Sequence, residues 1–364
     1  MAQKHSVVVA LPGSTQPFGS TNSYNFTVVG DNSVVNLYHA YLYVTVKISG
    51  LGGAAYTIKR PAIAWFNQAQ SSITVGSGSN IEIVSYPSYG ERGVAGYLYQ
   101  ILQSSYSEWT DYADIELLNT PVTQVYDVFE VRVPLRYLLD AASTSSWPVV
   151  RSMTLNLTWE PLSKIFTLPA GGLVEIPSME ITYPVMTMND PGEIPESLRM
   201  LSPRASYLSI NNIPVGSTTV PSITPNVGFS VSSVFYFFLS TSDGSPFTMN
   251  PNPQSIVTTH HLSNGGGLVL PSTVNYNSVY SPSARKGLAR HFTELRQNSQ
   301  TDQTGSDTIL TFQRWSEQNR IYSIETGVPQ KAGQTWNLAI QLSEPTTAPC
   351  SIVVVFVGNR LGFH

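Results

Sequence analysis

Apolar and polar residues alternate over long stretches of this chain. In residues 38–48 the even positions are Tyr38, Ala40, Leu42, Val44, Val46 and Ile48, and the odd ones are His39, Tyr41, Tyr43, Thr45 and Lys47. An apolar face opposite an amphipathic face at period two predicts a half-buried strand. Met153, Leu155, Leu157 and Trp159 alternate in the same way with Thr154, Asn156 and Thr158, and Trp336, Leu338, Ile340 and Leu342 with Asn337, Ala339 and Gln341. Further strands are predicted at 24–29, 81–85, 125–133, 174–183, 206–210, 231–239, 255–261, 309–313, 321–325 and 351–357, with Gly, Pro, Ser and Asn clusters between them.

Helical spacing is rare. Residues 91–107 place Val94, Leu98, Ile101 and Leu102 on one face, and residues 283–298 do the same with Ala284, Leu288, Phe292 and Leu295. A shorter helix of about two turns is expected at 134–141, with Pro134 where a first helical turn tolerates it. Many strands and few helices predict an all-β sandwich or barrel.

The segment Met188–Leu201, MNDPGEIPESLRML, collects charge, two prolines and a glycine just past the midpoint, which is linker chemistry. Each half then shows a long early strand, a later helix and an amphipathic strand running into a Glu-Pro pair, Glu160-Pro161 and Glu344-Pro345. This order of elements predicts two similar β-domains in tandem. The expected boundaries are an N-terminal arm at 1–22, a first domain at 23–187, a linker at 188–205 and a second domain at 206–364.

Composition narrows the function. Of 364 residues only 12% are charged, against about 25% in an average soluble domain. The net charge is −4, and no block of Lys or Arg stands at either end, so a basic nucleic-acid-binding arm is not expected. A single cysteine, Cys350, excludes an intrachain disulfide framework and any multi-cysteine zinc site. The apolar run Val7–Leu11 is shorter than a signal-peptide core, so secretion is not expected and the sequons at Asn25 and Asn156 are read as unused. A chain this poor in charge points to a surface covered by something else.

Candidate chemistry is sparse. No Gly-x-Ser-x-Gly elbow occurs, and Gly265-Gly266-Gly267 lacks the Lys-Ser/Thr pair of a phosphate loop and reads as a turn. His260 and His261 are adjacent, so on a strand they point to opposite faces and do not share a metal ion. They read as surface or interface histidines. Glu130 and Arg132 share a strand face and read as a surface ion pair; no spacing favours an acid/base pair of carboxylates. No catalytic residue, cofactor or metal is therefore expected. The densest positive cluster is Arg285, Lys286 and Arg290, extended by Arg296. It is either a contact for phosphate or an acidic partner, or the solvated face of a helix packed through Leu288, Phe292 and Leu295. Trp159 and Trp336 belong to a strand core. Trp65, Trp109 and Trp315 are open between sugar stacking, packing and subunit contact.

Residues 125–166, VYDVFEVRVPLRYLLDAASTSSWPVVRSMTLNLTWEPLSKIF, run from a strand ending in Val133-Pro134-Leu135 through a helical turn to a strand of alternating Leu. This resembles the first jelly roll of the double jelly-roll major capsid proteins of tailless icosahedral DNA viruses: the adenovirus-like, polinton-like and membrane-containing phage lineage. Residues 179–211 are similar to that family's passage between barrels, and residues 336–356 to its last two strands. The resemblance implies two tandem eight-stranded jelly-roll barrels with a few short helices in loops. It also implies homotrimers of pseudo-six-fold outline that tile an icosahedral shell in the virion. The expected partners are copies of the chain, then penton or minor capsid proteins and an internal membrane, without strong direct nucleic-acid binding. The uncharged, hydroxyl-rich arm suits docking on neighbouring subunits. Three alternatives remain: one jelly roll with large loop insertions, a carbohydrate-binding β-sandwich, and a fibre or adhesin module.

Overall fold

The structure is a computed structural model that describes residues 3–9, 23–35, 39–75, 82–86, 92–104, 122–125, 127–139, 149–186, 204–240, 257–265, 269–273, 289, 291–293, 295–296, 310–317, 320–330 and 332–359. Contacts divide the chain into two compact units, with the main boundary between Arg204 and Ala205; residues 101–104 group with the second unit.

The first unit contains β1 (Gln3–Val9), β2 (Ser23–Val35), β3 (Tyr41–Ser49), β4 (Tyr56–Ile58), β5 (Phe66–Val75), β6 (Glu82–Tyr86), β7 (Val122–Gln124), β8 (Val128–Pro134), β9 (Val149–Trp159), β10 (Phe166–Thr167) and β11 (Leu173–Met186). The second contains β12 (Arg204–Ile213), β13 (Thr219–Ile223), β14 (Asn226–Val227), β15 (Ser230–Ser240), β16 (Val257–Asn264), β17 (Val269–Thr273), β18 (Ile321–Gln330), β19 (Gln334–Leu342) and β20 (Cys350–Asn359).

Strand order is the informative feature. In the second unit one sheet runs β12-β20-β15-β18 and the other β13-β19-β16-β17, with the short β14 added to β19. Counting the eight longer strands along the chain, these orders are 1-8-3-6 and 2-7-4-5, the two sheets of a jelly roll. The first unit repeats them. There β1-β11-β3-β8 and β2-β9-β5-β6 are the two groups, joined where the end of β2, Val34 and Val35, also meets β11. A small sheet, β10-β4-β7, is additional.

The sequence periodicities place the cores. Leu42, Val44, Val46 and Ile48 on β3 are buried, as are Leu155, Leu157 and Trp159 on β9 and Trp336, Leu338, Ile340 and Leu342 on β19. β15 and β20 are different: Val234–Phe237 and Cys350–Phe356 are buried without alternation, so these strands are covered on both faces. Such strands read as continuous apolar runs. Outer strands of the second unit carry proline, with Pro221 in β13, Pro271 in β17 and Pro329 in β18, which deters edge-to-edge pairing.

The helix Arg92–Gln103 forms as the spacing predicts, with Val94, Leu98, Ile101 and Leu102 buried. Its Gly93 is a packing requirement: a Cβ there would lie 2.5 Å from the carbonyl oxygens of Ile63, on the turn that precedes β5, and of Phe66, which opens β5. Gly50 serves a turn. Its φ of 73° is in the left-handed region, and a side chain would meet the carbonyl of Gly171.

Several expectations change. Residues 309–313, read as a strand, give way to a helix at Phe312–Glu317. The helix after Pro134 is a single turn, Leu135–Leu138, because Leu139 returns to extended backbone. Within the segment read as an N-terminal arm, Gln3–Val9 is β1, laid along β11. The expected linker lies outside the described residues up to position 203, and β12 already begins at Arg204.

Candidate assembly surface

Arg285, Lys286 and Arg290 lie outside the described residues. Their neighbours 289, 291–293 and 295–296 are helical. This segment buries His291 and Leu295, while Thr293 and Arg296 are exposed. The Arg296 guanidinium stands 6.0 Å from the ring of Phe292. The amphipathic-helix reading therefore describes its Leu295 side.

His260 corrects the sequence reading. Adjacent histidines do point to opposite faces, but only His261 is exposed; His260 is 3% exposed. Burial of an imidazole needs polar partners, and Tyr236 supplies one across the unit, its hydroxyl 2.7 Å from His260 Nδ1. Tyr236 stacks on Tyr322, its register partner in β18, with centroids 5.2 Å apart. His291 sits edge-on to both His260 and Tyr322 at 5.5 and 5.2 Å. Trp315 closes the cluster and donates its indole N–H to the Ile321 carbonyl at 2.8 Å. Among the described residues no group of three His, Cys, Asp or Glu side chains could hold a metal ion.

The first unit has a comparable anchor. Trp65 packs against Trp159, Phe166 and Phe129, and its indole donates to the Arg60 carbonyl at 2.8 Å. Glu160, only 1% exposed, lies 3.5 Å from the Arg60 guanidinium and 3.1 Å from Lys164 Nζ. The first of the two Glu-Pro pairs, Glu160-Pro161, is thus a buried carboxylate with two counter-ions, whereas Glu344 of the second is exposed. Trp65 and Trp315 are both fully buried, which removes them as sugar platforms; Trp109 lies outside the described residues.

Burial also sets the alkaline behaviour. It pushes the Cys350 thiol up to about 11 and the Tyr56 phenol, also raised by Asp127, up to about 12; burial raises Tyr322 as well, against the opposing charge of Arg320. The folded protein keeps these protons after the unfolded chain has released them, near pH 9 for the thiol and 10 for the phenols. Stability is therefore full below pH 9 and falls as pH rises toward 11 and 12. A lower urea midpoint at pH 11 than at pH 8 is expected; equal midpoints would refute this assignment.

The outward faces remain. On β8-β3-β11 the registered rows are Arg132–Tyr43–Glu180, Glu130–Thr45–Ser178 and Val128–Lys47–Glu175. Two cations and three anions are interleaved with half-buried Tyr41 and Tyr43, and Arg132 lies 4.9 Å from the Tyr41 ring. The Lys47–Glu175 pair, at 3.5 Å and well exposed, adds almost nothing to stability. Val128 in the last row is 56% exposed, and beside the rows Val125 and Leu173 are 63% and 57% exposed. In the second unit the face of β13-β19-β16 exposes Thr219, Ser222, Asn337, Ala339, Gln341 and His261 and carries no Asp, Glu, Lys or Arg among them. Ser222 is hydrogen-bonded to Asn337, and Thr258 donates to the Gln341 carbonyl at 3.1 Å. The named residues of the second face are uncharged, whereas those of the first carry five charges. The sequence showed the first face as the amphipathic positions of residues 38–48.

No protein-family model matches the sequence, and no curated protein matches it. Solved structures do. The PBCV-1 virus capsid superposes with a TM-score of 0.53 at 10% identity, covering 99% of this chain and 95% of that one. A chain of the Sulfolobus Turreted Icosahedral Virus gives 0.49 at 12% identity, over 99% and 91%. The mavirus major capsid protein gives 0.46 at 11%, over 97% and 87%. The likeness to the PBCV-1 capsid establishes the fold: this chain has the fold of a double jelly-roll viral capsid protein, in agreement with its strand orders.

Proposed function

We propose that this chain is a structural major capsid protein of an icosahedral virion. The observation that carries the reading is the use of the whole chain. The likeness to the PBCV-1 capsid covers 99% of it, and both units follow the same jelly-roll order. In this reading three copies form a capsomer whose six jelly rolls give a pseudo-six-fold outline, and capsomers tile the shell. Penton or minor capsid proteins and an internal membrane are the further partners. In this reading the strands β1–β11 make one domain and β12–β20 the other, and the basic residues Arg285, Lys286, Arg290 and Arg296 make a secondary contact with an acidic partner.

A single jelly roll with loop insertions is disfavoured because each half has its own 1-8-3-6 and 2-7-4-5 sheets. Carbohydrate binding loses two of its three candidate platforms with the burial of Trp65 and Trp315, and Trp109 lies outside the described residues. An obligate capsomer would bury about 2,000 Å² or more per interface. Size-exclusion chromatography with light scattering should then return three times the chain mass. A monomer that persists at high concentration would overturn the proposal.

A further inference from the structure

We propose that the neutral outer sheet of each unit is where one capsomer meets the next, each such sheet packing on the same sheet of another copy of this chain. The contact rests on the capsid reading, since it joins capsomers. Its basis is a distribution of charge that recurs in both units. In the second unit the outward rows Gln341–Thr259, Ala339–His261 and Asn337–Ser263 cross β19 and β16. In the first unit the sheet with the same place in the jelly-roll order is β2-β9-β5-β6, and its rows include Asn25–Asn156–Gln70 and Thr27–Thr154–Ser72. These positions alternate with the buried Leu155, Leu157 and Ala69, while Gln70 is exposed and Asn156 half-buried, so the rows belong to the outward side. No Asp, Glu, Lys or Arg stands in any of these rows. The five charges of the first unit's other outward face stand on β8, β3 and β11.

The chemistry of the rows selects the occupant. Ser, Thr, Asn, Gln and neutral His each carry both a hydrogen-bond donor and an acceptor. A surface made of them is complementary to a copy of itself, whereas a charge near a two-fold axis meets its own like charge. Charged residues are also depleted from the cores of protein interfaces. Some of these side chains are already held by neighbours: Ser222 bonds to Asn337, and beside that row Asn264 donates to Gln334 Oε1 at 2.8 Å. Size then fixes where the contact occurs. A face four strands wide and about six residues long covers about 400 Å². Each partner commits about 800 Å² to a standard interface. One face is therefore too small to hold two single chains together. A capsomer of three chains presents three copies of each face, and linked weak contacts reinforce one another. A two-fold contact has no place inside a three-fold ring, whose contacts are heterologous, so it falls between capsomers.

Ala339 stands in the middle of the three rows and is exposed, so a charge there enters the contact and not the core. Ala339→Glu and Ala339→Lys are made as separate proteins, with Gln70→Glu and Gln70→Lys as the pair for the first unit. Light scattering and sedimentation give the mass of the capsomer and the association of capsomers with one another, and urea unfolding checks that each variant folds. Each variant alone is expected to form three-chain capsomers that associate at least about tenfold more weakly than the parent's. Mixing the Glu variant with its Lys counterpart should restore association. Variant capsomers that associate like the parent's, or parent capsomers that do not associate at all, overturn the contact and leave the capsid reading standing. Weakened association that mixing does not restore overturns the pairing of like sheets. Variants that fall to single chains place the face inside the capsomer and overturn the contact as well. Each unit's sheet stands or falls with its own pair, and Gln341→Glu with Gln341→Lys replaces an Ala339 variant that does not fold. A parent that stays a single chain at high concentration overturns both this contact and the capsid reading.

Discussion

Replacing Trp65 by Ala will lower the stability of the protein by about 3–5 kcal/mol. Trp65 is fully buried, and its ring meets Trp159, Phe166 and Phe129 at centroid separations of 6.2, 5.4 and 6.5 Å. The substitution empties the largest side-chain volume available, and residues contributed by β8, β9 and β10 surround the gap. It also removes the indole donor to the Arg60 carbonyl, and Arg60 is the residue whose guanidinium faces the buried Glu160. Collapse of the surrounding side chains cannot restore that contact. Trp65→Phe, which keeps most of the ring, should recover more than half of the loss. Urea unfolding followed by circular dichroism measures both. A Trp65→Ala midpoint within error of the parent would mean that this aromatic cluster does not hold the first unit together.

Gly358→Ala should cost about 3 kcal/mol, at the upper end for overpacking. The reason is local. Gly358 pairs with Val231, one residue before the irregularity in β15, and there the backbones approach so closely that an added methyl would overlap the Ser230 carbonyl oxygen. Backbone atoms cannot rotate away as a side chain can. The pairing of β15 with β20 has to open at that end, and Phe229 borders the same space. Gly216→Ala is the contrast. That glycine has φ 84° and nothing within 4 Å of a built Cβ, so only backbone strain, about 1–2 kcal/mol, opposes the change. If the two substitutions cost the same, steric closure at Gly358 is not the controlling feature.

The sequence made the half-buried strands readable. β3, β9 and β19 announce themselves by period-two alternation because one face meets the core and the other is polar. β15 and β20 lie on the predicted strands 231–239 and 351–357, and their near-continuous apolar sequence fits their burial on both faces. The short β4, β10 and β14 left no trace, since two or three residues cannot show a period. β5 was missed for another reason: Phe66–Val75 reads FNQAQSSITV, too polar to alternate visibly.

In the predicted strand 309–313 the polar Thr311 and Gln313 alternate with the apolar Leu310 and Phe312, a pattern too short to separate strand from helix. Phe312 and Trp315, three residues apart on the helix, pack with tilted rings whose centroids are 6.0 Å apart, a contact that a helical turn brings together. His260 shows the limit most clearly. Nothing in its own strand marks it as buried; its partner Tyr236 sits in the other sheet. The outward faces were legible as composition, a surface poor in charge, but their grouping into registered rows needed the pairing of β8, β3 and β11.

The central claim is that one chain supplies two capsid jelly rolls to a shell. Electron microscopy of the associated protein tests it most directly. Capsomers with a pseudo-hexagonal outline and three chains each, giving six jelly rolls, are the predicted result. Capsomers with one jelly roll per chain, or particles that remain single chains at high concentration, would contradict it.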